Sequence, residues 1–207
     1  MILRGQRVAG IILAAGASTR MGRTKQLLPL GEKTLIERVL MEALGSQLDR
    51  VVLVLGHRAV KIRDAVSPLC HEARLKIVDN RRFREGMSTS IITGLSAVEN
   101  THDHVMILLC DMPFLCRDLI DLLIRRYLES GLLIGAVRGK ERPVHPMIFS
   151  RDLYPELLDL RGDMGARAIL ARYRDQLCLV DPEGPYDWRD IDTPEDYARV
   201  QQKQGPC

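Results

Sequence analysis

The chain predicts an α/β fold, doubly wound, in which a mostly parallel (mixed) sheet carries helices on both faces. Three observations carry that prediction. Continuous apolar runs of strand length, Val8 to Ala15 and Val105 to Leu109, read as strands buried on both faces of a parallel sheet. Segments with apolar residues at helical spacing alternate with such runs along the chain. Loop chemistry rich in glycine, cations or acids follows directly after the strands, where open α/β sheets place their ligands.

In order, Val8 to Ala15 is the first strand and Gly16 ends it. Thr34 to Leu44 carries Leu35, Ile36, Val39, Leu40 and Leu44 on one helical face, with Thr34 as N-cap and Glu37 completing a capping box. Val51 to Leu55 is a β-branched strand, the helix from His57 to Val66 stops before Pro68, and Leu75 to Val78 makes a third strand ending at Asp79-Asn80. Ser88 to Val98 is helical and Val105 to Leu109 is a fully apolar strand. Cys116 to Tyr127 is helix, Leu132 to Val137 strand, and Val144 to Phe149 a strand broken by Pro146. Helices follow at Ser150 to Leu158 and Ala166 to Tyr173. Leu177 to Val180 and Arg189 to Ile191 are short strands, the helix Pro194 to Gln202 follows, and the tail Gln201 to Cys207 is polar and frayed.

With 207 residues the chain suits one domain, residues 1–207, with a proper core. Hydrophobic residues at 46% and charged residues at 28% place it among soluble globular proteins. A net charge of +3, with basic residues spread along the chain, gives no support to a nucleic-acid surface and suits an anionic small molecule. The five cysteines include no Cys-x-x-Cys pair and read as free thiols. No apolar run is long enough to span a bilayer and no cleavable leader is visible, so neither membrane nor nucleic acid is an expected partner, and a cytoplasmic location follows.

The stretch Leu13 to Leu30, LAAGASTRMGRTKQLLPL, puts flexible backbone, one guanidinium and one ammonium after the first strand. Gly16, Ser18 and Gly22 let peptide N–H groups approach anionic oxygens, and Arg20 and Lys25 add charge. It is neither of two better-known phosphate loops. Gly16 and Gly22 are too far apart for a Walker loop and Gly22 is followed by Arg23, while a dinucleotide loop would need glycine where Ser18 stands. Asp111 directly follows the strand Val105 to Cys110, and Met112-Pro113 stop that strand. A carboxylate there needs solvent, a partner, or a divalent cation bridging phosphates. In Asp190-Ile191-Asp192-Thr193-Pro194-Glu195-Asp196, Thr193 reads as N-cap with Pro194 at the first helical position, which leaves Asp192 free for another role.

Leu13-Ala14-Ala15-Gly16-x-Ser18-x-Arg20-Met21-Gly22-x-x-Lys25-x-Leu27-Leu28-Pro29 resembles the signature of the MobA-like nucleotidyltransferases, most of all the molybdenum cofactor cytidylyltransferase branch. The resemblance implies a nucleotide-diphospho-sugar transferase-like fold and Mg²⁺-dependent transfer of a nucleoside monophosphate from an NTP, with pyrophosphate released. Arg20, Lys25 and Asp111 would be catalytic. Leu13, Ala14, Ala15 and Gly16 would line the nucleotide with Arg20, Lys25 and Asp111. Asp111, in Cys110-Asp111-Met112-Pro113, and Asp192 would hold Mg²⁺, or Mn²⁺ in its place. Ser88 and Ser90, in the segment matching Ser-x-x-x-Gly-Leu, would border the base.

Ala15 stands where guanylyl-transferring relatives commonly have glycine, which favours a pyrimidine and hence CTP. The resemblance puts the acceptor, a molybdopterin-type cofactor later passed to a client molybdoenzyme, beside Asp163 in Arg161-Gly162-Asp163-Met164-Gly165-Ala166-Arg167. His145 joins it, although Val144 replaces the glycine of the family's Gly-His-Pro. Guanylyl transfer, cytidylyl transfer to another phosphorylated acceptor, and a non-catalytic nucleotide-binding module stay open.

Overall fold

Seven strands hydrogen-bond in the order β5-β4-β1-β6-β8-β7-β9 in the computed structural model, which describes residues 5–184 and 186–202. They are β1 (Val8–Ala14), β4 (Arg50–Leu55), β5 (Leu75–Asp79), β6 (His104–Leu109), β7 (Ile134–Arg138), β8 (Pro143–Ser150) and β9 (Leu177–Val180), while β2 (Pro29–Leu30) and β3 (Lys33–Thr34) form a separate hairpin. The pairs β1/β4, β1/β6, β4/β5 and β7/β9 are parallel, and β8 runs antiparallel to both of its neighbours. The mixed, mostly parallel sheet is therefore as the sequence predicts.

The fully apolar β1 is buried at every position because helices cover both faces. Ile12 and Ala14 pack on one side with α1 (Leu35–Gly45), α2 (Ala59–Ala65) and α4 (Arg117–Ser130). Ile11 and Leu13 pack on the other with α3 (Met87–Ser96) and α5 (Tyr154–Leu158). Gly94 lets α3 sit close on β1, since a Cβ there would lie 2.3 Å from Ile11 Cγ2. After β1 the chain winds outward through β4 and β5, then returns to β6 on the other side of β1. The carboxyl ends of β1 and β6 thus flank the switch point at which such sheets open a crevice.

Several elements depart from the sequence reading. Arg189 to Ile191 forms no strand: the Ile191 N–H donates to the Asp111 carbonyl at 3.1 Å, and its side chain is buried in a small core with Met21, Leu28, Leu35, Tyr197 and Val200. The expected helix Ala166 to Tyr173 is only a 3₁₀ turn over Ala166–Ile169, a segment bounded by Gly165 and too short to propagate an α-helix on its own. Pro146 does not end β8, yet the register with β7 passes from Ala136↔Met147 to Val137↔Val144, so His145 and Pro146 bulge out of the ladder. A proline without an N–H makes that place the natural one for the irregularity. The β2–β3 hairpin turns on Gly31 at φ 67, a feature absent from the sequence reading. The capping box of α1 is present. Of the polar tail, Gln201 and Gln202 belong to α6 (Pro194–Gln202), whereas Cys207 lies outside the described residues. The other four cysteines are unpaired thiols, and no described helix is long and apolar enough to cross a membrane.

Candidate active site

The loop after β1 is shaped by its own side chains. Ser18 takes a left-handed conformation at φ 54 and Gly22 another at φ 69, which folds residues 18–22 into a compact 3₁₀ turn. Gln26, buried, donates to the carbonyls of Ala14 at 3.1 Å and Gly16 at 3.0 Å, the last acceptors at the mouth of β1. The Ser18 hydroxyl donates to Gln26 Oε1, and the Lys25 N–H donates to Ser18 Oγ at 3.2 Å. These bonds fix where the Lys25 side chain departs. Sequence reasoning passed over Gln26; its only signal was an amide standing between Lys25 and an apolar pair.

Four of the residues singled out in the sequence meet here. The Lys25 ammonium contacts Asp111 Oδ2 and donates to Asp192 Oδ1 at 3.1 Å, and Arg20 Nη1 donates to Asp192 Oδ2 at 2.9 Å. The two carboxylates come from distant parts of the chain, one near its middle and one near its C-terminus. Asp111 is set by the end of β6. Asp192 is set by Ile191, by the buried face of α6 against the first loop, and by the cap in which Thr193 Oγ1 accepts from the Asp196 N–H at 3.2 Å. Because Asp196 Oδ2 in turn accepts from the Thr193 N–H, the cap is complete without the Asp192 carboxylate.

Lys25 is 15% exposed and Asp111 11%, so the pair is largely dry, while Arg20 lies open to solvent. Burial alone would lower the Lys25 pKa; the Asp111 carboxylate and the hydrogen bonds to Asp111 and Asp192 more than offset it, and the ammonium is held charged. Asp111 Oδ1 is buried with no hydrogen-bond partner. Asp190, beside them, is pushed up to about 7 by desolvation and by repulsion from Asp111. Among the described residues no cluster of three or more protein ligands forms a self-contained metal cage. Two convergent carboxylates with one orphaned oxygen instead suit a hard cation that takes its remaining ligands from water and phosphate.

Ser88 and Ser90, expected to border the base, are buried on α3. Gly86 caps that helix at φ 109, and the Ser88 N–H donates to the Gly162 carbonyl at 3.1 Å, which ties the loop carrying Asp163 to the start of α3. Ser90 Oγ accepts from Asn80 Nδ2 at 3.0 Å and Thr89 Oγ1 from the same amide at 2.8 Å. Asn80 Oδ1 accepts from the Arg82 N–H, which fixes the orientation of the amide. Asn80 is thus a second positioning residue the sequence reading missed. A Cβ on Gly86 would stand 2.2 Å from the Gly162 backbone, whereas one on Gly165 would meet only the flexible Met87 sulfur at 3.1 Å. Gly86→Ala is therefore expected to cost about 2–5 kcal/mol from overpacking and a disfavoured φ, with Gly165→Ala costing far less. Urea unfolding of the two variants checks the ordering.

A groove of about 630 Å³ runs from Asp192 past Asp190, Arg167 and His145 to Arg142 and Lys140. His145 lines it. Asp163 is exposed and is not part of the lining, where Arg167 of the same segment appears instead. His145 Nδ1 lies 3.3 Å from the Ile107 carbonyl, which can only accept, so Nδ1 carries the proton. Desolvation, then repulsion from Arg167, drops the His145 pKa to about 4. The unfolded chain, near 6.5, then binds more protons between those values, so stability is lost as pH falls through that window, by up to about 3 kcal/mol. His145→Gln should flatten this part of the urea-unfolding pH profile between pH 7 and 4.

Acids and cations gather at the switch point of a mostly parallel sheet, the place where α/β proteins bind their ligands. Residues 10–177 match the family model described as MobA-like NTP transferase domain, and the chain belongs to that family. It is 30% identical over 203 residues to nicotine blue oxidoreductase of Paenarthrobacter nicotinovorans, covering 93% of this chain and 96% of the relative. Purine catabolism protein PucB of Bacillus subtilis (strain 168) is 30% identical over 205 residues, covering 96% and 98%. Molybdenum cofactor cytidylyltransferase of Escherichia coli (strain K12) is 26% identical over 198 residues, covering 93% and 95%. A manganese complex of Rv0371c from Mycobacterium tuberculosis H37Rv superposes with TM-score 0.78 at 26% identity, covering 95% of this chain and 99% of that one. A glucose-1-phosphate thymidylyltransferase structure from Bacillus anthracis, TM-score 0.75 at 15% identity and covering 94% of each chain, shares the fold, that of the nucleotide-diphospho-sugar transferases. Names on this fold span nucleotidyl transfer and oxidoreduction, so the reaction has to be argued from the site.

Proposed function

We propose that the protein transfers CMP from CTP to a phosphate-bearing acceptor of the molybdopterin type, releasing pyrophosphate, with Mg²⁺ (Mn²⁺ serving as well) held by Asp111 and Asp192. One observation carries this reading: Arg20, Lys25, Asp111 and Asp192 form a single network at the switch point while Asp111 Oδ1 has no partner. Binding a polyphosphate needs only the cations and the loop; retention of two converging acids beside them suits a cation that neutralises phosphate oxygens.

Arg20 and Lys25 pair with Asp192, and Lys25 with Asp111. A bound triphosphate competes for Arg20 and Lys25, and Asp111 and Asp192 would hold the metal, which would supply charge stabilisation at the phosphates. Arg20 and Lys25 then neutralise the β- and γ-phosphates, the loop N–H groups from Gly16 onward cradle them, and Leu13, Ala14 and Ala15 form the floor beneath. An acceptor phosphate oxygen bonds to the α-phosphorus as the bond to the β-phosphate oxygen breaks, and the electron pair leaves with pyrophosphate. No general base is needed, because a phosphate monoester with its second pKa near 6 is already ionised. The work is positioning and electrostatics. Ser88 and Ser90 border the base, and His145 lies on the acceptor side. The cytidylyltransferase among the relatives and Ala15 at the loop's entry both support CTP.

The test is a panel of four NTPs with Mg²⁺, with and without molybdopterin cofactor. Pyrophosphate release from CTP only when acceptor is present is expected. Preference for GTP would replace the base assignment, and NTP binding without pyrophosphate release from any pair would replace the enzyme with a nucleotide-binding module.

A further inference from the structure

Three of the charged side chains lining the groove beside the network already have partners. Arg189 Nε donates to Asp187 at 2.8 Å, Asp192 is held by Arg20 and Lys25, and Asp196 is engaged in the cap with Thr193. Among the described residues, Lys140, Arg142 and Arg167 make no ion pair. Arg167 goes further: its Nε–H is buried and has no hydrogen-bond partner. Burial and the nearby Arg142 charge both press against its protonation, with only Asp190 opposing them from beyond ion-pair distance. A guanidinium stays charged under such pressure, so the arrangement leaves a desolvated donor and two like charges without compensation.

We propose that Arg142 and Arg167 form an anion clamp that binds the phosphate monoester of the acceptor, separate from the triphosphate grip of Arg20 and Lys25. The chemistry of the groove suits that ligand. Guanidinium forks pair with phosphate oxygens in bidentate fashion. Lys140, Arg142 and Arg167 put cations in the lining, and Asp190 and Asp192, which share it, repel an anion and so favour its placement at the guanidinium pair. The space of about 630 Å³ exceeds what inorganic phosphate fills, and Trp188 adds an aromatic surface for an organic body. Arg167 comes from the 3₁₀ turn after Gly165 and Arg142 from the residues before β8, so two separate segments deliver the pair. The acceptor role rests on the nucleotidyl-transfer reading above; the anion site itself does not.

Titration calorimetry of phenyl phosphate into the full chain, with the triphosphate site saturated by a non-hydrolysable CTP analogue and Mg²⁺, tests the clamp. Binding is expected to persist with the analogue present, to weaken about tenfold or more in Arg167→Gln and in Arg142→Gln, and to stay unchanged in Arg63→Gln, an exposed arginine paired with Asp79 outside the groove. Arg167→Lys, which keeps the charge but not the fork, should fall between, and its thermal melt guards against misfolding. Displacement of phenyl phosphate by the CTP analogue, or equal affinity in parent and Arg167→Gln, overturns the proposal. A clamp that passes this test while no acceptor yields pyrophosphate would leave the anion site standing and remove only its role in transfer.

Discussion

Asp111→Ala is expected to lower the rate of acceptor-dependent pyrophosphate release by about a thousandfold while leaving the fold's stability nearly unchanged. The rate falls because Asp111 is the buried carboxylate at the mouth of β6 and the proposed metal ligand with an uncommitted oxygen. Losing a cation's stabilisation of developing phosphate charge costs several kcal/mol, and each 1.36 kcal/mol is a factor of ten. Stability holds because two changes oppose each other. The substitution removes a partner of Lys25, yet Asp192 still accepts from that ammonium at 3.1 Å, and the unsatisfied Oδ1 disappears. Initial-rate assays beside urea unfolding check both halves. A rate within tenfold of the parent, in a folded variant, would contradict the assignment of Asp111.

Lys25→Met is expected to have the opposite profile: weaker use of the triphosphate, seen as a tenfold or larger rise in KM for CTP, together with a clear loss of stability. Asp111 and Asp192 would face each other with no cation between them, and breaking a buried ion pair costs on the order of 3 kcal/mol. Since the methionine keeps most of the apolar stem, packing loss is not the cause. The diagnostic consequence is metal dependence. Mg²⁺ takes the place of the missing ammonium, so it should raise the Tm of Lys25→Met more than that of the parent, in which Lys25 competes for the same carboxylates. Equal shifts in the two proteins would count against a shared site for metal and ammonium.

Much of the fold was legible because its strands report their own environment. The unbroken apolar runs of β1 and β6 specify burial on both faces, and with strand-helix alternation they lead to a mostly parallel sheet. Arg20, Lys25, Asp111 and Asp192, which the resemblance singled out, meet in one network, and their places after β1 and β6 or just before a capped helix explain why. What was not legible depends on contacts far apart in sequence. Nothing around Ile191 says that its N–H will bond to Asp111 and its side chain will pack beneath the first loop, so a short apolar-acid alternation looked like a strand. Gln26 and Asn80 are polar residues in unremarkable surroundings, and Arg167, although in a segment the resemblance marked, was passed over for Asp163; the carbonyls, hydroxyls and groove that give them work come from other segments.

The measurement closest to the central claim is a crystal structure with a non-hydrolysable CTP analogue and Mn²⁺, read by anomalous scattering. The account predicts a manganese peak between Asp111 and Asp192, touching triphosphate oxygens, with Arg20 and Lys25 turned onto the β- and γ-phosphates. A triphosphate seated in the loop with both carboxylates still paired to Lys25 and Arg20, and the metal elsewhere, would contradict it.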